Sequence, residues 1–308
     1  MDRKAAWLGL GITSEDGREV KANANAATFK GSRQAANPDS IMMNQTSVFD
    51  PVLCEVAYRW FCPRDGSVLD PFTGGSVRGI VAAKLGLKYT GLDLSQQQIE
   101  ANYKNAAEVL GDIPAPNWIN ADSRQIDQHV TEQADFLFSC PPYADLERYS
   151  KDPADLSNMP YSEFKSAYFE IIQKSCQLLK QNRFACFVVG EVRGKGGGYY
   201  NFVGDTVAAF LQAGMVFYNE AILCTNGGTA AMRAGQFTKS RKLVKTHQNV
   251  LVFLKAEDEA ATEQLRESGF LTTAHQNVLV FIKGNPTEAT EAVGLCEFGT
   301  IENSTENG

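Results

Sequence analysis

The chain has 308 residues, of which 44% are hydrophobic, and a formal net charge of −7. This hydrophobic content is enough for a sizeable core, and the length is normal for an α/β enzyme. The sequence contains neither an apolar run near the ~18 residues of a membrane span nor a charged-then-apolar leader, so we expect a cytoplasmic protein with no membrane partner. Its seven cysteines lack paired short spacing, which favours reduced thiols over disulfides or zinc, and we expect no metal site.

Secondary structure is predicted in chain order from capping residues and apolar periodicity. Residues 1–45 are polar with little periodicity, so we predict an irregular arm. Residues 46–62 carry the capping residue Asp50, then Pro51 and helical apolar spacing, which predict a helix. Further helices are predicted at 77–85, 95–110, 161–180 and 202–213, and strands at 67–69, 89–92, 118–120, 136–138, 184–189, 216–223 and 250–254. This alternation predicts an α/β fold with a mainly parallel sheet and helices on both faces.

A glycine turn, Asp70-Pro-Phe-Thr-Gly-Gly-Ser76, follows the first of these strands and precedes a helix. This order is typical of sites that bind the polar part of a nucleotide-like cofactor. Asp93 ends the next strand 23 residues later, close to the ~20-residue spacing at which a carboxylate binds a ribose hydroxyl pair. The turn matches the dinucleotide Gly-x-Gly-x-x-Gly pattern poorly, and its acidic start suits a cationic amino acid moiety better than a phosphate.

A second motif, Cys140-Pro-Pro-Tyr143, follows the apolar strand that ends near Phe138. Two prolines remove two backbone donors and leave their carbonyls free, and an aromatic ring follows. We call residues 140–143 the ledge. An acceptor-rich ledge with a stacking surface suits a flat, donor-bearing group such as the amino edge of a nucleobase.

Together the two motifs resemble those of S-adenosylmethionine-dependent DNA amino-methyltransferases, the N6-adenine and N4-cytosine enzymes, over roughly residues 46–256. In that family the first motif usually runs Asp-Pro-Phe-x-Gly-Ser-Gly, and the second is Asp, Asn or Ser followed by Pro-Pro-Tyr or Pro-Pro-Phe. Here the first motif has a different glycine order, and Cys140 takes the first catalytic position. The resemblance implies a Rossmann-like class I methyltransferase fold, with a mainly parallel seven-stranded sheet and a terminal antiparallel strand.

The resemblance also implies roles for individual residues toward S-adenosylmethionine and a flipped-out base. Asp70 would face the methionine portion, Asp93 the ribose and Asp122 the adenine amino group, with Gly74 and Gly75 allowing close approach. The implied cofactor residues are Phe49, Asp70, Pro71, Phe72, Gly74, Gly75, Asp93, Leu94, Asp122 and Ser123. The implied catalytic residues are Cys140, Pro141, Pro142 and Tyr143. Acceptors at the ledge would localise the lone pair of the amine in the transition state while Tyr143 stacks on the base.

Cys140 leaves more than one chemistry open, because a thiol is a poor hydrogen-bond acceptor. The backbone carbonyl of Cys140 or the neighbouring Ser139 could substitute for it in amino methylation. Alternatively, a Cys140 thiolate could attack C6 of cytosine and activate C5, assisted by Glu191 as an acid. The usual C5 enzymes place their cysteine after proline, whereas Cys140 precedes Pro141. Glu191 and Arg193 also fit a simple solvated loop.

A basic segment indicates the substrate class. Between Glu220 and Glu257 there is no acidic residue. The same interval contains Arg233, Lys239, Arg241, Lys242, Lys245 and Lys255. A long loop at about 225–247 with this charge can neutralise phosphates. We expect the first five cations to contact double-stranded DNA. Alternatives are an RNA or protein substrate, or a catalytically degenerate DNA-binding relative.

A seven-residue segment occurs twice near the carboxyl terminus, as His247–Phe253 and His275–Phe281. Two copies are too few for a repeat architecture. We predict that the first copy forms the last strand of the sheet, because it directly follows the basic segment. Residues 257–308 are then a carboxyl-terminal extension that contains the second copy.

Overall fold

The computed structural model describes residues 3–13, 49–143, 152–194, 196–224, 235–243 and 245–256. Within these ranges a seven-stranded sheet has helices packed on both faces. No helix in the described ranges is long and apolar enough to cross a membrane.

The strand order is β3-β2-β1-β4-β5-β7-β6. The strands are β1 (Ser67–Asp70), β2 (Lys88–Asp93), β3 (Asn117–Asn120), β4 (Ala134–Ser139), β5 (Leu179–Val189), β6 (Val216–Cys224) and β7 (His247–Lys255). Strands β1 to β5 pair in parallel, and β7 pairs antiparallel with both β5 and β6. The predicted fold class, Rossmann-like with one antiparallel strand, is therefore confirmed. We call the edge where β1 to β5 end the carboxyl edge, and β7 begins at this same edge.

Two helical layers cover the sheet. The helices are α1 (Arg3–Leu8), α2 (Pro51–Phe61), α3 (Val77–Lys84), α4 (Gln96–Leu110), α5 (Ile126–His129), α6 (Tyr161–Gln177), α7 (Phe202–Gln212) and α8 (Gly235–Ser240). Helices α2, α3 and α4 bury one apolar cluster against one face, and α5, α6 and α7 bury a second cluster against the other. The central strand β4 is buried along its whole length, with Phe136 and Phe138 on one face and Leu137 on the other.

Most of the predicted helices and strands are present. Their observed bounds differ from the predicted ones mainly where pairing between strands determines where an element starts or ends. Asp50 caps α2 as predicted, because its side chain accepts a hydrogen bond from Val52 N at 2.9 Å. The helix predicted at 161–180 ends at Gln177, and β5 starts at Leu179 rather than at 184. Leu179 pairs with Ala134 of β4, so pairing overrides a local sequence that continues the helical pattern.

The amino-terminal arm is not wholly irregular, since residues 3–8 form α1. This part of the prediction was wrong because long-range contacts order the segment. The carboxylate of Glu55, 3% exposed, accepts hydrogen bonds from Arg3 and from the indole of Trp7. These partners, with Arg59, lower the pKa of Glu55 to about 2.

The first copy of the duplicated segment forms β7, as predicted. Val250 and Val252 face one apolar cluster, and Leu251 and Phe253 face the other. The second copy lies outside the residues that the structure describes.

Candidate functional site

The carboxyl edge gathers most of the predicted site residues. Asp70 ends β1 and Asp93 ends β2, while Asp122 follows β3. The ledge follows β4, and Glu191 follows β5. Because these strands are parallel neighbours, the fold brings both sequence motifs to one side of the sheet.

The glycine turn is held from both sides. Gly74 has φ +49°, a conformation that favours glycine. Its N–H donates to Asp93 Oδ2 at 3.0 Å, and its carbonyl accepts from Asn102 Nδ2 at 2.8 Å. Thr73 N donates to the Leu92 carbonyl at 3.0 Å. The turn is therefore tied to the end of β2 and to α4, and Asn102 is a site residue that the sequence analysis missed.

Asp93 is oriented by backbone amides at the end of β2. Besides the bond from Gly74, its Oδ1 accepts from Ser95 N at 2.8 Å. These two amides fix the carboxylate, which only accepts hydrogen bonds when ionised, beside the glycine turn. Asp93 is half-buried at the carboxyl edge, and its contact with a ribose stays a prediction.

Asp70 differs from its predicted role. It is 0% exposed, and its carboxylate accepts from Arg78 Nε at 2.5 Å, Tyr89 Oη at 2.6 Å and Ser139 Oγ at 2.5 Å. Burial alone lowers the pKa of Arg78, but the neighbouring Asp70 carboxylate raises it overall, so the buried guanidinium stays charged. In this arrangement Asp70 organises the turn from beneath. It does not present an oxygen to a ligand.

Asp122 is also engaged within the protein. It caps a 3-10 turn at residues 123–125 by accepting from Arg124 N, and it forms an ion pair with the Arg124 guanidinium at 2.5 Å. Its side chain is 21% exposed. Contact with an adenine amino group would have to share this carboxylate with Arg124.

The remaining predicted cofactor residues surround the turn. Phe49 packs its ring under the Arg78 guanidinium, 4.8 Å from centroid to carbon, and Phe72 packs on Tyr168 at 5.8 Å between centroids. Ser123 Oγ donates to the Pro71 carbonyl at 2.5 Å. Two others, Gly75 and Leu94, are half-buried.

The ledge places a thiol and a phenol side by side. Cys140 is half-buried, with its Sγ 4.0 Å from Tyr143 Oη. Pro141 is buried and Pro142 is half-buried between them. The Tyr143 ring contacts Phe202 edge-on at 6.1 Å between centroids.

Tyr143 is further fixed by Gln248, whose amide donates to the phenol oxygen. Gln248, the second residue of the duplicated segment, was not among the site residues predicted from sequence. Ser139, offered as a substitute acceptor for Cys140, is 0% exposed and bound to Asp70. It cannot reach a base at the ledge.

Part of the basic segment contacts Gly197 and Tyr199, which follow β5. Lys242 Nζ lies 3.0 Å from where a β-carbon on Gly197 would stand. Lys245 Nζ lies 5.1 Å from the centroid of the Tyr199 ring, and the Arg193 guanidinium carbon lies 3.9 Å from it. Arg193 also donates to the Gly197 carbonyl at 2.8 Å and to Tyr199 Oη at 2.9 Å, so it fixes its own loop and lies against the same ring as Lys245.

The structure describes the other predicted cations less completely. Arg241 is half-buried with φ +51°. Lys239 belongs to α8, but its side chain, like the whole of Arg233, lies outside what the structure describes. Lys255 is at the opposite end of β7 and donates to the carbonyls of Cys176 and Leu179, so it contributes nothing to this surface.

Glu191 carries an unusual carboxylate. Its Oε2 atom is buried, and among the described residues no group forms a hydrogen bond with it. Burial raises the pKa of Glu191, while Lys245 and the first backbone N–H groups of α7 act against that rise.

No family model and no curated protein matches the chain. Among solved structures it is similar to TrmN from Thermus thermophilus, at 14% identity and a TM-score of 0.46, over 67% of this chain and 49% of that one. A putative rRNA methylase from Clostridium thermocellum aligns at 12% identity and a TM-score of 0.44, over 68% of this chain and 100% of that one. Magnesium protoporphyrin IX methyltransferase from Synechocystis PCC 6803, solved with bound SAM, aligns at 12% identity and a TM-score of 0.43, over 67% and 79%. The chain spans about half the length of TrmN.

Proposed function

We propose that the protein is an S-adenosylmethionine-dependent methyltransferase that modifies an exocyclic amino group, N6 of adenine or N4 of cytosine, in double-stranded DNA. One observation carries this proposal. The glycine turn after β1, the Asp93 carboxylate that holds it from the end of β2, and the ledge after β4 lie at the same carboxyl edge, on neighbouring parallel strands.

The turn fits a donor that combines an amino acid and a nucleoside. The half-buried Asp93 carboxylate lies beside the turn at the spacing of a ribose-binding residue, and the backbone at Gly74 allows close approach. S-adenosylmethionine, when bound, supplies an electrophilic methyl group on its sulfonium. In this proposal Asp93 binds the ribose, and the ledge receives the base that is methylated.

The ledge fits a flipped base. Because Gln248 and Phe202 hold Tyr143 in place, its ring is a preorganised stacking surface. Stacking offsets part of the few kcal/mol that extruding a base from a duplex costs. The Pro141 carbonyl supplies an acceptor for the amine, which favours the transition state over the planar ground state.

Local charge supports a nucleic acid substrate despite the net charge of −7. Lys242 lies against Gly197, and Arg193 and Lys245 lie against the Tyr199 ring, in the segment that follows β5. Cations placed next to a base-binding surface can neutralise the flanking phosphates.

Tritium transfer from labelled S-adenosylmethionine tests this function. Unmethylated DNA, RNA and a protein mixture are offered separately to the wild-type protein and to Asp93→Ala. We expect transfer to DNA, strongly reduced in the variant. Transfer to RNA or to protein alone would show that the substrate is not DNA. If no substrate were labelled, the proposed methyltransferase activity would be contradicted.

The thiol of Cys140 favours a second candidate, methylation of cytosine at C5. That reaction needs a covalent bond between Cys140 Sγ and C6 of the base. A cysteine-to-alanine change would abolish it, whereas amino methylation needs no such bond.

A further inference from the structure

We propose that Glu191 is a catalytic residue that accepts a hydrogen bond from the target amine and then takes its proton. It thereby supplies the acceptor that the Cys140 thiol provides poorly. This inference rests on the proposed amino-methyltransferase function and goes beyond it by assigning the proton acceptor.

The ledge lacks one strong side-chain acceptor. A thiol is a weak acceptor, and Ser139 is fully buried against Asp70. An exocyclic amine has two N–H groups, and the Pro141 carbonyl can take one of them. The backbone carbonyl of Cys140 is the other acceptor on the ledge itself, and a carboxylate on a neighbouring element would be a stronger one.

Glu191 is placed to be that acceptor. Ser139 on β4 pairs with Phe187 on β5, so Tyr143 and Glu191 each lie four residues beyond a matched pair at the carboxyl edge. A β-carbon on Gly190, the residue before Glu191, would stand 3.6 Å from Tyr143 Cε1. On the other side, Phe202 contacts the Tyr143 ring, and its backbone N–H favours the Glu191 carboxylate.

The unpartnered Oε2 atom indicates what Glu191 is for. A buried carboxylate oxygen without a donor costs stability, and such groups in native structures call for an explanation. An N–H from a bound base would satisfy it.

The charged neighbours of Glu191 are consistent with proton transfer. Lys245, which precedes β7, favours its ionised form, and Asp205 on α7 opposes it. Tyr161 on α6 is the further titratable neighbour, and its pKa is raised by burial, Asp205 and Glu191. Burial is the largest influence and raises the pKa of Glu191, which makes the carboxylate a better proton acceptor than a solvated glutamate.

The amine lone pair forms the bond to the methyl carbon, and the carbon–sulfur electron pair stays on sulfur, which becomes a neutral thioether. The nitrogen then carries a positive charge and passes one proton to the Glu191 carboxylate. Exchange with water returns Glu191 to its ionised form.

Glu191→Gln is the test variant, because its amide oxygen keeps an acceptor for the α7 backbone but takes no proton. Glu163→Gln, at an exposed position on α6, is the matched control. Methylated nucleosides are quantified with S-adenosylmethionine and unmethylated genomic DNA across pH 5–9. DNA affinity is measured separately with S-adenosylhomocysteine bound.

We expect the saturated rate to fall about 100-fold in Glu191→Gln, with DNA affinity within about threefold of wild type. The acidic limb of the wild-type pH profile should disappear in this variant. The second change Cys140→Asn, which places an amide oxygen on the ledge, should restore at least tenfold. If Glu191 only stabilised the start of α7, a new acceptor at residue 140 would not restore the methylation rate of Glu191→Gln.

A rate in Glu191→Gln equal to that of Glu163→Gln, with wild type active, would overturn the assignment and leave the proposed function standing. An unrescued double variant whose DNA affinity falls in parallel with the rate would also overturn it. If wild type does not methylate DNA, the proposed function fails and this assignment fails with it.

Discussion

The two halves of the carboxyl edge differ in how their polar groups are used. On the cofactor side, Asp70 and Asp122 are engaged by arginines, and Asp93 is oriented by two backbone amides. On the substrate side, the Glu191 carboxylate keeps one buried oxygen without a partner among the described residues. Two other buried atoms also have no partner among the described residues, Gln98 Oε1 on α4 and Trp118 Nε1 on β3. The difference therefore concerns the acidic side chains of the carboxyl edge: protein groups hold those at or just after the ends of β1, β2 and β3, whereas one oxygen of Glu191, after β5, is not held by any described residue.

Removing the Asp70 charge is expected to have the largest effect, because it leaves the buried Arg78 uncompensated. Asp70→Asn should lower the free energy of unfolding by about 3–5 kcal/mol, measured by urea denaturation. Asp122→Asn is the control, since Asn caps equally well and the Asp122–Arg124 pair is part-exposed, so about 1 kcal/mol or less should be lost. If both variants lost the same free energy of unfolding, the buried Asp70 would not differ from the part-exposed Asp122 in its contribution to stability.

Removing Asp93 is expected to separate cofactor binding from substrate binding. Asp93→Ala should weaken S-adenosylmethionine binding by about 2 kcal/mol, roughly 30-fold, because hydrogen bonds to a charged acceptor are lost. Titration calorimetry measures this, with Glu100→Ala, exposed on α4, as the control. DNA affinity should be unchanged, and a parallel loss of DNA binding would show that the two halves are not independent.

Removing one cation from the substrate side is expected to change the salt dependence of DNA binding. Lys245→Ala should reduce the slope of log affinity against log salt by about 0.9, since one phosphate contact is lost. Fluorescence anisotropy at several salt concentrations measures the slope. Lys104→Ala, exposed on α4, should leave it unaltered. An unaltered slope in Lys245→Ala would remove this lysine from the proposed DNA surface.

The smallest effect concerns the stability of the unliganded protein. Because burial raises the pKa of Glu191 above its unfolded value, the folded state holds its proton more tightly, and stability falls as pH rises from about 4.5 through the raised pKa. Glu191→Gln should lack this decline, giving a Tm difference from wild type that grows with pH. A pH-independent difference would mean that Glu191 is not destabilised when ionised.

Much of the cofactor half could be predicted from sequence, because a strand, a glycine turn and an amphipathic helix are local patterns. Helix α4 and strand β2 each lie within one residue of their predicted bounds. The partners of the site residues could not be predicted. Arg78, Tyr89 and Ser139 converge on Asp70 through long-range packing, and a single sequence carries no signal for such contacts.

The substrate half was less predictable for the same reason. The ledge motif is contiguous, but Gln248 reaches Tyr143 from a strand 105 residues away. The start of β5 depends on its pairing with β4 rather than on local periodicity. The role of Arg193 became visible only when its position over Tyr199 was known.

The central claim is that this edge methylates an exocyclic amine of a base in DNA. Mass spectrometry of nucleosides, from unmethylated DNA incubated with S-adenosylmethionine and either wild type or Cys140→Ala, tests it most directly. We predict N6-methyladenine or N4-methylcytosine, with part of the activity surviving in Cys140→Ala. The appearance of 5-methylcytosine that is abolished in Cys140→Ala, or of no methylated nucleoside at all, would contradict the claim.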